Sequence, residues 1–409
     1  MMRRSLAAVL FVALTGAASG QDTQSFDRIE RGRYLAVLSD CSACHTAPGG
    51  APFAGGLALQ TPFGKLVAPN ITPDPDTGIG NMTNEEFLAT LHDGRGHNGR
   101  RLYPAMPYPA YTKMTDDDVL AIRSYLATIA PVKNLVVSNQ LPFPLNIRLA
   151  MSFWNRLNFT AGRYQNNPLK SQAWNRGAYI VEGAAHCGTC HTPKTLLGGD
   201  KDNATLTGAT LQGWFAPDIT NNPRKGIGAW STDDISQYLK NGTNKWTLAS
   251  GPMAEAVSHS TSRMTDDDIK AIAIYLKDSG ESGPASTLKP IAANDSAMRA
   301  GAAIYKDSCA ACHRDSGEGE IQLFPRLAGS SLVQSDDPTT LARVVLQGTR
   351  AVSTAGAPTA PAMPAFDWRL SDAQVAAVLT YIRNSWGNAA APVSTGTAAS
   401  QRESLNKSR

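Results

Sequence analysis

All six cysteines of the chain fall into three C-x-x-C pairs, and a histidine follows each pair at once: Cys41, Cys44 and His45; Cys187, Cys190 and His191; Cys309, Cys312 and His313. None is left over for another role. Two thiols three residues apart lie on one side of a helical turn, where each can bond one vinyl group of a haem. The next residue then points an imidazole at the iron. Competing chemistries fit poorly. A thioredoxin-like redox pair needs no following histidine and has no reason to recur three times. Zinc needs four ligands, and each cluster offers three. Covalent attachment of three haem c groups is the reading that uses every residue of the pattern.

The surroundings of the motifs repeat as well. RGRYLAVLSDCSACHTAPGG from Arg31 matches RGAYIVEGAAHCGTCHTPKT from Arg176, and RAGAAIYKDSCAACHRDSGE from Arg299 keeps an arginine, a glycine and a tyrosine ahead of the pair. Downstream, APNITPDPDTGIGNMTNEEFLATLHDG from Ala68 matches APDITNNPRKGIGAWSTDDISQYLKNG from Ala216. Each unit closes with an apolar-periodic segment starting at Met114, Met264 or Leu370. Thr115 with Asp118, Thr265 with Asp268 and Ser371 with Gln374 have capping-box spacing, which predicts three closing helices. Tyr125, Tyr275 and Tyr381 on those helices are predicted to pack against the opening helices that carry Tyr34, Tyr179 and Tyr305, as core residues rather than electron relays.

An iron held by histidine needs a second axial ligand. Thioether sulfur is soft and raises the reduction potential. Between each haem motif and its closing helix stands a proline-flanked methionine predicted to sit in a loop: Met106, Met253 and Met363. Met114 and Met264 precede helix caps at a position where the third unit has Leu370, so they read as packing, as does Met82, which aligns with Trp230. His92 and His97 are alternative ligands for the first haem, but the second unit has no counterpart of either. Arg95, Arg100 and Arg101 read as a solvated basic loop or as contacts to haem propionates or an acidic partner.

Residues 1–20 read as a signal peptide: Arg3 and Arg4, a short apolar stretch, then small residues for cleavage near Gln21. The formal charge of +4 becomes +2 without those two arginines, and no basic run or stripe points to nucleic acid. Residues 136–170 are a linker in which Leu145, Leu149, Phe153 and Leu157 recur at helical spacing. That stripe serves either a partner or membrane interface, or the capping of the flanking domains. Residues 283–294 form a second, polar linker, and 389–409 an Ala/Ser/Thr-rich tail predicted to be disordered.

With the three C-x-x-C-H motifs, the Tyr-Pro-Ala-Met-Pro-Tyr-Pro loop around Met106 and the Asn-Ile-Thr-Pro-Asp stretch from Asn70, the chain from about Gln21 to Trp386 resembles a known family. These are the triheme cytochrome c subunits of membrane-bound bacterial dehydrogenases of the alcohol, gluconate, sorbitol and fructose type, with relatives serving aldehyde and nicotinate dehydrogenases. The resemblance implies a large catalytic subunit of flavin, quinone-cofactor or molybdenum type as electron donor. It implies ubiquinone or a terminal oxidase as acceptor. The combined expectation is an all-α chain of three tandem class I cytochrome c-like domains, 21–135, 171–282 and 295–388, with no catalytic residue of its own. It would work by outer-sphere electron transfer on the periplasmic side of the cytoplasmic membrane, with peripheral membrane association. A free periplasmic shuttle and a multihaem redox enzyme are the competing readings.

Overall fold

The computed structural model describes residues 25–280 and 288–408, so the signal-peptide reading and the start of the second linker lie outside the described residues. Three helical units follow one another. Each begins with an opening helix (Phe26–Leu38, Gln172–Tyr179, Ser296–Ser308) that crosses a closing helix (Asp116–Leu126, Asp266–Lys277, Asp372–Arg383). The crossing is set by the glycine of the repeat. A Cβ on Gly32, Gly177 or Gly301 would lie 1.9, 2.0 or 2.2 Å from the carbonyl oxygen of Ala121, Ala271 or Ala377. Only glycine lets the two backbones come this close. Tyr125, Tyr275 and Tyr381 lie against these glycines, as expected.

The units differ where the sequence inserts a residue. Gly32 precedes Cys41 by nine positions, whereas Gly177 precedes Cys187 by ten. The second unit absorbs the extra residue in one wide turn, Ile180–Ala184, closed by Ala185 N–H donating to the Ile180 carbonyl at 2.8 Å. Each unit also carries a short antiparallel ribbon that the sequence reading did not foresee: Ala58–Thr61 with Gly64–Val67, Ala209–Leu211 with Trp214–Ala216, and Thr349–Arg350 with Ala362–Met363.

The first two units share one core, in which Leu35, Leu38, Ile122 and Leu126 join Ile180, Ile272 and Leu276. Their contact is reciprocal. Tyr34 donates its hydroxyl to Asp268 Oδ2 at 2.7 Å, and Tyr179 donates to Asp118 Oδ2 at 2.5 Å. Arg176 Nε reaches Asp268 Oδ1, and Arg31 Nε reaches Asp118 Oδ1, both at 2.7 Å. One feature here is new and one corrects an expectation. Tyr34 and Tyr179 bond across to the neighbouring unit's helix start. And the capping box closes in both directions only at Ser371–Gln374 among the three closing helices. Thr115 and Thr265 still accept from the Asp118 and Asp268 amides, but those two carboxylates are drawn to arginine and tyrosine instead of back to the cap.

The third unit has its own core around Leu346, Val375 and Leu379. The tail predicted to be disordered completes it. Thr395–Ser408 is a helix whose Ala398 and Leu405 are buried among those residues, and Arg402 pairs with Asp372 at 2.7 Å and caps the Leu370 carbonyl at 2.6 Å. The Ala/Ser/Thr composition concealed a buried stripe at 398, 401 and 405, which is helical spacing. Linker residues Ala150–Asn158 form a helix fastened to the first unit by Trp154 and by Asn155, which accepts from the Tyr108 hydroxyl at 2.6 Å.

Candidate functional site

Each C-x-x-C-H segment is one turn of helix: Cys41–His45, then Cys187 through His191, and Cys309 through His313. The chain leaves its opening helix through a left-handed residue in the first two units, Asp40 (φ 50°) and His186 (φ 41°), which re-aims the turn. In the third the helix runs almost straight on, with Cys309 N–H on the Tyr305 carbonyl at 2.8 Å.

The three histidines share one geometry. Nδ1 of His45, His191 and His313 lies 2.7, 2.7 and 3.0 Å from the carbonyl oxygens of Pro69, Pro217 and Pro325. A carbonyl only accepts, so Nδ1 carries the hydrogen and Nε2 keeps its lone pair. Burial holds all three imidazoles below the usual histidine pKa, favouring the neutral form a metal requires. Burial likewise pushes the Cys41 and Cys187 thiols up to about 12 and Cys44 and Cys309 to about 11. All six cysteines are free. The proline carbonyls were not singled out from the sequence. The repeat that begins Ala68-Pro69 and Ala216-Pro217 held the signal for two of them, but Pro325 has no aligned counterpart.

Among the described methionines, four are buried, while the three candidate ligands and Met151 of the linker helix are half-buried. Met114, Met264, Met298 and Met82 are buried within the protein's own packing, as expected for the three of them that the sequence reading weighed. Met106, Met253 and Met363 are only half-buried. Met106 sits in a turn closed onto the Tyr103 carbonyl, and Met363 lies on the ribbon strand opposite Thr349. Met363 on its strand and Met253 both depart from the expected loop. Met253 lies in the first turn of a helix, Pro252–His259, because proline is well placed at a helix start. That helix packs against the Cys41–His45 turn of the first unit. His186, next to Cys187, has Nε2 3.3 Å from the carbonyl of Ser39, two residues before Cys41, so the first two motifs lie close together.

Of the two alternative histidines, His97 is bonded to Glu86 at 2.9 Å on the surface, whereas His92 is buried with Nδ1 3.6 Å from Asp116 and neither ring nitrogen hydrogen-bonded. Arg95 pairs with Asp93 in its own loop. In each unit, then, paired thiols adjoin a neutral imidazole whose Nε2 has no hydrogen bond among the described residues. These donors fit a covalently attached haem.

The fold and these motifs define a class: the chain belongs to the cytochrome c family, whose match covers residues 29–130, 175–280 and 298–386. Members of that family bind haem c covalently. Among its relatives are a gluconate 2-dehydrogenase cytochrome c subunit of Pantoea cypripedii, 40% identical over 95% of this chain and 92% of that one. Another is an alcohol dehydrogenase (quinone) cytochrome c subunit of Gluconobacter oxydans, 39% identical over 91% of this chain and 81% of that one. A fructose dehydrogenase cytochrome subunit of Gluconobacter japonicus is 38% identical over 90% and 81%.

Proposed function

We propose that this chain is the three-haem electron-transfer subunit of a membrane-bound dehydrogenase complex. It is built as three tandem class I cytochrome c-like domains and passes electrons from a catalytic subunit to ubiquinone or a terminal oxidase. It works on the periplasmic side of the membrane, peripherally attached. The observation that supports this most is the threefold recurrence of the histidine–proline carbonyl bond beside a free cysteine pair.

The roles of the residues follow from their chemistry. Cys41 with Cys44, Cys187 with Cys190, and Cys309 with Cys312 would form the thioether links. His45, His191 and His313 would bind iron through Nε2, each held in one tautomer and orientation by its proline carbonyl. Met106, Met253 and Met363 would complete the coordination and leave no open position for a substrate. When bound, haem supplies a one-electron iron couple. The motifs of the first two units lie close together, and the second unit is in direct contact with the third.

The test is mild detergent extraction of native membranes and affinity capture of this chain. Recovery in fixed ratio with a flavin, quinone-cofactor or molybdenum dehydrogenase is the expected result. Recovery of the chain alone from the soluble periplasm would make it a free shuttle.

A further inference from the structure

The helix Ala150–Asn158 is fastened on one side only. Trp154 is buried and donates Nε1–H to the Leu197 carbonyl at 2.7 Å, and its ring meets Tyr108 edge-on at 6.5 Å. The solvent-facing side carries Leu149, Phe153 and Leu157, four residues apart and therefore in one stripe, exposed by 76%, 65% and 57%. Phe143 and Ile147 in the preceding turns are exposed too, and the Trp154–Leu197 bond brings exposed Leu196 beside the helix. Single exposed apolar residues are ordinary, but a contiguous stripe of large ones marks a surface that is covered in use.

Charge indicates what covers it. From Val119 to Val181 the chain has no Asp or Glu and seven Arg or Lys. Arg148 and Arg156 flank the stripe. Arg148 donates to the Arg101 carbonyl at 2.7 Å and stacks over Tyr103 at 4.8 Å, which places the Arg100–Arg101 loop alongside. None of these four arginines forms an ion pair with a carboxylate among the described residues. A protein partner would need apolar complementarity here but has no general need for uncompensated cations. An anionic leaflet takes both, with acyl chains meeting the stripe and headgroups meeting the arginines. The helix has nine residues and spans about 13 Å, so it lies along a bilayer rather than across it. No described helix is long and apolar enough to cross one.

We propose that the face formed by Leu149, Phe153 and Leu157, rimmed by Arg148 and Arg156, is a lipid-insertion surface that seats the first unit on an anionic phospholipid leaflet. The proposal gives the peripheral attachment a location and rests on the preceding reading only for the side of the membrane concerned.

The experiment is cosedimentation of the full haem-loaded chain with vesicles of phosphatidylglycerol and phosphatidylcholine, against pure phosphatidylcholine. The parent chain is expected to bind the anionic vesicles at least ten-fold better and to come off in high salt. Phe153→Ser with Leu157→Ser is expected to lose at least ten-fold in binding, and Arg148→Gln with Arg156→Gln several-fold together with the salt dependence. Unchanged visible spectra would show both variants folded, since the altered side chains are on the surface. No binding by the parent, or equal binding by the Ser variant, would overturn the proposal. So would a Ser variant that keeps vesicle binding but no longer co-purifies with a dehydrogenase, because the face would then be a protein dock. Haem content is read separately, so failure of the electron-transfer reading would be visible on its own.

Discussion

The first two units and the third are built from the same parts but joined in different ways. Units one and two are welded through a common apolar core and exchange tyrosines with each other's helix starts, where each aspartate is also held by an arginine of its own unit. The third meets the second along polar edges. Thr340 bonds both backbone groups of Phe215, Arg343 stacks over Trp214 at 4.7 Å, and the Val352 amide donates to the Ala249 carbonyl at 3.0 Å. It makes up for the missing partner with a terminal helix. A further device is Arg383, fully buried and bonded only to carbonyls, those of Val333, Ser335 and Ala391 at 2.9–3.0 Å. A repeated unit that cannot bury its surface against a neighbour must bury it against added chain.

The largest break comes from the helix crossings. Gly32→Val or Gly177→Val forces apart backbones already in contact and should cost roughly 4 kcal/mol or more, with the first two units melting together in calorimetry. Gly301→Val should cost a similar amount but melt the third unit alone. Arg383→Met would orphan three buried carbonyls and is expected to destabilise the third unit by about 3 kcal/mol in denaturant unfolding, leaving the other two unchanged.

The clamp between the first two units gives a smaller effect and a pH signature. Asp268 is partly desolvated, which raises its pKa, but the bonds from Arg176 and Tyr34 outweigh this and hold it below the usual carboxylate value. A depressed folded pKa adds stability that is fully present above the unfolded value of about 4 and is lost as pH falls through the folded one. Asp268→Asn should therefore cost about 2–3 kcal/mol at pH 7, and the difference from the parent should vanish in strong acid. Leu405→Ala should cost about 2 kcal/mol in the third unit only. The smallest structural change has a purely electronic result. Met106→Leu should leave its haem attached and lower that haem's potential by part of the roughly 0.8 V span that axial ligands command. An unchanged spectrum and potential would remove Met106 from the ligand set.

The cysteines and histidines were legible because three copies of one dense motif leave no other use for the residues. Closing helices were legible through caps and periodicity. The proline carbonyls were not, since a backbone oxygen leaves no mark of its own in a sequence. Nor was the exchange of Tyr34 and Tyr179 between units. A tyrosine on an apolar face reads the same whether its hydroxyl stays in its own unit or leaves it. The tail failed for a different reason. Its Ala/Ser/Thr composition masks the spacing of Ala398, Gln401 and Leu405, whose weakly apolar stripe becomes meaningful only against Leu346 and Leu379.

The most direct test of the account is the intact mass of the mature, denatured chain together with the visible spectrum of the native one. The expected result is the polypeptide plus three covalently held haems, all low-spin. A chain carrying fewer than three, or a resting high-spin band from an iron without its methionine, would contradict it.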